Sequence, residues 1–311
     1  MSFGDARRLR TFALVADLGS ISAAADVLGY TQSAVSQQLA ALEREVGEVL
    51  VERSQRPLRA TGAGALLRPR VDAVLAAIAD VEAVIDDVRA STPRLRLAAF
   101  TSALSSFVPA AVRDLRRSQP DIVVEVIQLE TDEAIERLRS GGADLAVVHY
   151  MPGIAVPETG DLQRRRLLID ELNVVIPSGH RLARRDEVRI GDLEGEPLVL
   201  PRRETPAARF RSVIEHLCAQ AGFTPRVAYE LDDLPAVQAF VAAGIAIVPM
   251  HGLTLTTVPP GAAVRPLAER PAGSRTVEAL VPARARTPMV DDLGERLTAA
   301  ALAYAGKRQA A

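Results

Sequence analysis

The chain has 311 residues, 48% hydrophobic and 24% charged, with a formal net charge of −2. That length suits two or three compact units with sizeable cores, and the near-zero charge does not by itself announce a nucleic-acid binder. Cys218 is the only cysteine, which excludes an intrachain disulfide and a cysteine-rich metal site.

No apolar run approaches the roughly 20 residues that cross a bilayer. The opening MSFGDARRLR has no signal-peptide core, so a cytoplasmic protein without membrane contact is expected. In residues 1–62 seven arginines balance seven carboxylates. Any affinity for DNA there has to come from where the charges stand.

Leu9, Phe12, Ala13 and Ala16 recur at helical spacing and predict a first helix that stops at Gly19. Ser20 can cap a second helix over 21–28, whose Ala23, Ala24 and Ala25 let another helix come close. Gly29-Tyr30 reads as a turn, and Thr31 can cap a third helix running to about 46. In that helix Val35, Leu39 and Leu42 form one apolar stripe. The leading end carries Gln32, Ser33, Ser36 and Gln37 and no carboxylate; Glu43 and Glu45 come later. A helix entering the major groove needs this arrangement, because its tip must hydrogen-bond base edges without repelling phosphate. After Gly47, LVERSQRPLRATGAG reads as strand, turn at Arg56-Pro57, strand. Arg53, Arg56 and Arg59 gather there, as in a wing laid along phosphates. The other reading of these elements is a structural three-helix bundle.

The run SISAAADVLGYTQSAVSQQLAALEREVGEVLVERSQRPLRATGAG resembles the DNA-binding signature of the LysR family, and the likeness covers about residues 5–65. It implies contact with double-stranded DNA from Gln32, Ser33, Ser36 and Gln37, with Arg53 and Arg56 from the wing. Two positions depart from the family pattern. Gln37 stands where Arg is common, and Val51 where Phe usually packs the wing.

Over residues 64–90, Leu67, Val71, Val74, Ile78, Val81, Ile85 and Val88 follow alternating spacings of four and three. This is a heptad seam, widened by Leu75 and Val84, with the regular part expected after Pro69. A helix of about 25 residues extends nearly 40 Å. It either packs on its own domain or pairs with a second copy. Pairing is preferred, because two recognition helices one DNA turn apart need a two-fold partner, and the resemblance implies such a dimer, often assembled further into tetramers. The expected domains are 1–62 for DNA binding, 63–90 for the linker and dimerisation helix, and 91–311 for an effector domain.

Beyond Pro93 the elements alternate: RLRLAAF, a helix over 104–118, DIVVEVIQL, a helix over 131–140, then ADLAVVH. The pattern predicts a parallel sheet covered by helices. A second series runs from ELNVVIP through PLVLP, a helix over 206–220, TPRVAYEL and a helix over 234–243 to IAIVP. SRTVEALVPA and a final helix over 289–305 follow. Two α/β subdomains are expected, about 94–162 with 270–305 and about 163–269. Crossings near 160–168 and 265–275 would enclose a cleft.

Residues 94–304 are also similar to the LysR effector domain, on LRLAAF…FVP, GGADLAVVH, GHRLA and AAGIAIVP. The resemblance implies a periplasmic-binding-protein-like domain with ligand contacts at Thr101, Ser102, Thr131, His149, Pro201 and Arg202. Hydroxyls at helix starts, a histidine at a strand end and Arg202-Arg203 would suit a small anionic metabolite. Each also has an ordinary reading as helix cap, packed imidazole or solvated arginine.

The expected fold class is therefore α/β with an all-α-rich N-terminal module: a winged helix-turn-helix, a linker helix and a two-subdomain effector domain. The expected function is that of a LysR-type DNA-binding transcriptional regulator, controlled by a small anionic metabolite and working as a homodimer or homotetramer. RNA polymerase is a candidate further partner. The alternative is an α/β enzyme or ligand-binding protein with an attached DNA-binding module. Against catalysis, no GxSxG, GxxxxGK[ST] or GxGxxG stands at a strand-to-helix turn. His149, His180, His216 and His251 are dispersed, without metal-ligand spacing. Adjacent Asp232 and Asp233 suit a helix cap better than a catalytic pair. No cofactor or metal is expected. A molybdate-type regulator would carry small all-β ligand modules, which the alternating pattern opposes.

Overall fold

The computed structural model describes residues 6–52, 57–89, 93–155, 157–269, 272–283 and 286–309. Its contacts divide the chain into two compact units, Met1–Ser91 with Arg139–Gly142, and Thr92–Leu138 with Ala143–Ala311. In the first, α1 (Ala6–Leu18), α2 (Ile21–Leu28) and α3 (Gln32–Val46) bury Phe12, Val15, Ala24, Val35 and Leu39 completely. The helix ends follow from local chemistry. Ser20 accepts a hydrogen bond from Ala23 N–H (3.3 Å) and Thr31 from Ala34 N–H (3.2 Å). Gly29 and Gly47 close α2 and α3 at φ 68° and 80°, where a Cβ would be strained.

A short antiparallel pair follows, β1 (Val51–Glu52) with β2 (Arg59–Ala60). Glu43 explains why a carboxylate sits in α3, since its Oε1 accepts the amides of Leu50 (3.0 Å) and Val51 (3.3 Å). Val51 fills the core position expected of Phe and is fully buried. The first turn of α4 (Gly62–Arg89) lies so close to β1 that a Cβ on Gly64 would fall 2.2 Å from the Leu50 carbonyl oxygen.

In the second unit β3 (Arg94–Ala99), β4 (Val123–Gln128), β5 (Leu145–Tyr150), β6 (Leu162–Asp170) and β12 (Arg275–Pro282) form a sheet ordered β4-β3-β5-β12-β6. The first three are parallel; β12 runs antiparallel to both β5 and β6. This sheet carries α5 (Thr101–Leu104), α6 (Val108–Ser118), α7 (Thr131–Arg139) and α10 (Pro288–Gln309). A second subdomain is built from β7 (Leu172–Pro177), β8 (Leu198–Leu200), α8 (Ala208–Gln220), β9 (Val227–Glu230), α9 (Leu234–Ala242), β10 (Val248–His251) and β11 (Ala262–Pro266). There β10-β7-β11 is antiparallel and β8-β9 parallel, the two linked by a bridge between Leu198 and Ile247.

Two expectations need correction. The first crossing falls at 170–172, not 160–168, because the whole of β6 pairs with β12 in the first sheet. The boundary expected at 162/163 falls inside this strand because β6 is an edge strand whose first half, Gln163 to Arg166, is polar and breaks the apolar pattern. The helix expected over 104–118 is two helices, since the chain turns at 105–107 before Pro109 enters the first turn of α6.

Candidate functional site

On α3 the buried stripe and the polar tip separate as the helical period requires. Val35, Leu39 and Leu42 face the core, Gln32, Ser33 and Gln37 are exposed, and Ser36 is half-buried. Gln32 Nε2 donates to Ser22 Oγ (3.0 Å), and the hydroxyls of Thr31 and Ser33 lie 2.9 Å apart. These local bonds hold the tip in one arrangement before anything meets it. Arg59 is exposed on β2; Arg53 and Arg56 lie outside the described residues.

The seam of α4 splits by position. Val71 is buried in the first unit's own core and Leu67 and Leu75 pack against it, so this stretch serves the domain itself. Ile78 is half-buried, while Val74 (46%), Val81 (58%) and Ile85 (42%) stand exposed. The side chain of Val88 lies outside the described residues.

In the second unit a cleft of about 510 Å³ opens between the two subdomains, at the carboxyl ends of β3, β4, β5, β8 and β9, where open α/β sheets place their ligands. Five of the six residues expected to touch a ligand line it: Thr101, Ser102, Thr131, His149 and Pro201. Arg202 does not; its Nε donates to Asp232 Oδ2 at 2.6 Å and its side chain is 60% exposed.

Two hydroxyls in this cleft are tied to its walls, whereas the buried Tyr150 hydroxyl, which also lines it, has no hydrogen-bond partner among the described residues. Thr131 Oγ1 donates to the His149 carbonyl (3.0 Å) and accepts from His149 N–H (3.2 Å), tying α7 to β5. Ser102 Oγ accepts from Arg275 Nη2 at 2.6 Å. Arg275 is 7% exposed and bonds Asp170 Oδ2 through Nη2 (2.8 Å) and Nε (2.9 Å), with Phe100 beneath its guanidinium. Asp170 ends β6 and Arg275 begins β12, opposite each other in register. The ion pair therefore clamps both strands at the point where the chain crosses between subdomains, and Asp170 Oδ1 also holds the amide of Leu253 (2.9 Å).

Sequence reasoning missed this pair. The signal was a carboxylate and an arginine, each closing or opening a strand at a crossing, and placing the first crossing early concealed it.

Burial and the nearby Arg275 hold His149 below the ordinary imidazole range, although Glu130 pulls the other way. Its Nε2 lies 3.5 Å from Glu130 Oε2, and its buried Nδ1 has no hydrogen-bond partner, which suits a lone pair better than an N–H. Glu130 is lowered from the usual carboxylate range, first by that histidine. His251 is fully buried and pushed well below its ordinary value by burial, and its Nε2–H donates to the Gly273 carbonyl at 3.0 Å. At the rim, Arg209 of α8 pairs with Asp132 of α7 (Nη1 to Oδ1, 3.1 Å), bridging the two subdomains. Among the described residues no group of histidine, cysteine or carboxylate side chains could hold a metal ion, and no helix is long and apolar enough to cross a membrane.

A capped three-helix unit with a two-stranded wing, and an α/β unit with a cleft at its strand ends, define a DNA-binding protein of the kind that senses small ligands. Residues 6–65 match the model of the bacterial regulatory helix-turn-helix protein, lysR family, and residues 89–302 match the LysR substrate binding domain. The chain is 30% identical over 256 residues to the HTH-type transcriptional regulator ShiR of Corynebacterium glutamicum, covering 81% of this chain and 85% of that protein. Against the transcriptional dual regulator GltC of Bacillus subtilis it is 28% identical over 291 residues, covering 93% and 95%. The fold is similar to crystal structures of CbnR, a LysR family transcriptional regulator (TM-score 0.59, 21% identity, 96% of this chain and 99% of that one), and of full-length BenM (TM-score 0.59, 23% identity, 97% and 98%). The chain belongs to the LysR family of transcriptional regulators.

Proposed function

We propose that this regulator reads base edges with Gln32, Ser33, Ser36 and Gln37, holds phosphate with Arg53 and Arg56, and binds as a homo-oligomer paired through the exposed apolar positions of α4. The cleft between the subdomains would bind a small-molecule effector, with Thr101, Ser102, Thr131, His149 and Pro201 at its wall and Arg202 outside it. The carrying observation is the cleft itself: residues distant in sequence converge at the strand ends, around a cavity of about 510 Å³, within the roughly 300–1,000 Å³ usual for small-molecule sites. RNA polymerase would be a further partner and the cytoplasm its compartment. The cleft would act as a sensor, not a catalyst.

The mechanism follows from linkage. A ligand that prefers one closure state of the cleft shifts its population, and a change in protomer arrangement then alters the spacing of the two recognition helices. The test begins with a thermal-shift screen of small metabolites on the full-length protein, followed by fluorescence anisotropy on its own upstream DNA. Gln32→Ala should relax preference at one base, whereas Arg53→Ala should weaken binding to every sequence and reduce the salt slope by about 0.9. Equal losses on all sequences for Gln32→Ala would remove it from base readout. Turnover of a bound hit would overturn the sensor reading.

A further inference from the structure

The charges around the cleft form an unequal set. Arg275 is matched by Asp170 and Ser102, as described, and Arg209 by Asp132 at the rim. Arg202, which a ligand carboxylate would have needed, is turned to Asp232 and is not on the wall. The start of α7 is served by the chain's own acids: Asp132 and Glu133 occupy its first turn, and Glu133 Oε2 accepts the Glu130 amide at 3.3 Å. An incoming anion would therefore compete with carboxylates already in place.

The acids are not equally matched. Glu130, Asp132, Glu133 and Asp232 all line the cleft, and among the described residues its arginines are Arg209 and Arg275. Among the described residues Glu130 has one partner at ion-pair distance, His149. Burial holds that imidazole below its ordinary range, so at neutral pH it stands beside Glu130 without cancelling its charge, and Arg275 and Arg209 act on Glu130 only from a longer distance. The opposite wall is apolar, with Phe210, Leu231, Val237, Val248 and Met250. Such a cavity disfavours an added anion by like charge, and among the described residues Glu130 has no cationic side chain at ion-pair distance other than that buried imidazole.

We propose that the cleft selects a small, largely apolar amine, bound as its ammonium against Glu130 with its carbon body on the Phe210–Met250 wall. The inference rests on the cleft being the effector site. It differs from the anionic metabolite that helix starts and loop arginines suggest from sequence, because Arg202, Arg209 and Arg275 are each paired with a carboxylate of the protein and acids outnumber arginines on the wall.

The experiment uses the full-length chain and three probes of matched shape, 2-phenylethylamine, 2-phenylethanol and phenylacetate, with affinities measured by calorimetry. The amine should bind at least tenfold more tightly than phenylacetate. Glu130→Gln should weaken the amine about tenfold and leave the alcohol unchanged. Val248→Trp, which fills the apolar wall, should abolish binding of both, with circular dichroism confirming that each variant is folded. Phenylacetate binding more tightly than the amine, and lost in Val248→Trp, would overturn the amine while leaving the cleft as the effector site. Amine binding that ignores Glu130→Gln would also overturn it. No binding of any probe at millimolar concentration would count against both the amine and the cleft.

Discussion

At the scale of single residues, the second unit depends on charges placed where water is scarce. Asp170 and Arg275 are 4% and 7% exposed, and breaking such a pair from one side costs more than the pair contributes, since the remaining charge is stranded. Asp170→Asn should therefore destabilise the protein by roughly 3–5 kcal/mol, measured by urea unfolding. A loss below about 1 kcal/mol would mean that water reaches Arg275 and the clamp is not a closed one. His251 and His149 give a second expectation. The unfolded chain protonates these imidazoles near pH 6.5, while the folded protein keeps both neutral to lower pH. Their contribution is thus fully present above about pH 6.5 and is lost as pH falls below it, with a slope of at most about 1.4 kcal/mol per pH unit for each histidine. Melting temperature between pH 7.5 and 5.5 should fall less steeply in His251→Asn than in the wild type. Parallel curves would show that His251 does not set the acid limit.

At the scale of elements, α4 serves two purposes along its length. Its first half completes the DNA-binding unit's core through Val71, with Leu67 and Leu75; Val74 on another face and, further on, Val81 and Ile85 remain uncovered. Replacing Val81 and Ile85 by Glu should shift the protein from oligomer to monomer in sedimentation velocity without lowering the helical content. An unchanged sedimentation coefficient would place the dimer contact elsewhere. The contrast shows what sequence can reveal. Helix periods, caps and the carboxylate-free tip of α3 were legible because they are local, set by residues three or four apart and by single glycines. The seam was legible as a stripe but not in its division, because burial of Val71 depends on α4 lying against β1 near Gly64, a tertiary fact. In the cleft, Thr101, Ser102, Thr131, His149 and Pro201 could be named from strand ends and resemblance. Their partners could not, because Ser102 meets Arg275 across 173 positions of chain. Charge matching of that kind, which decides what ligand the cleft favours, is written in no local pattern.

At the scale of the whole molecule, the proposed function has effector and operator acting on each other through the closure state of the cleft. The Asp132–Arg209 pair bridges the subdomains at the rim with both side chains well exposed, 40% and 47%, so it contributes on the order of 0.2–1 kcal/mol to the arrangement in which the two rims meet. That is small against the fold but large enough to shift a two-state equilibrium by about 1.4- to 5-fold. Binding linkage then imposes a strict condition. If a ligand changes operator affinity by some factor, the operator changes ligand affinity by the same factor. We expect the two ratios, measured with the compound that emerges from the stability screen, to agree within error. Asp132→Ala and Arg209→Ala should move the apparent affinity of that compound in the same direction, because both release the same bridge. Their effects on cleft charge are opposite, so a purely electrostatic influence on the ligand would move the two variants apart. Opposite shifts would mean that the bridge does not govern closure, and unequal ratios would mean that one of the two bindings was not measured at equilibrium.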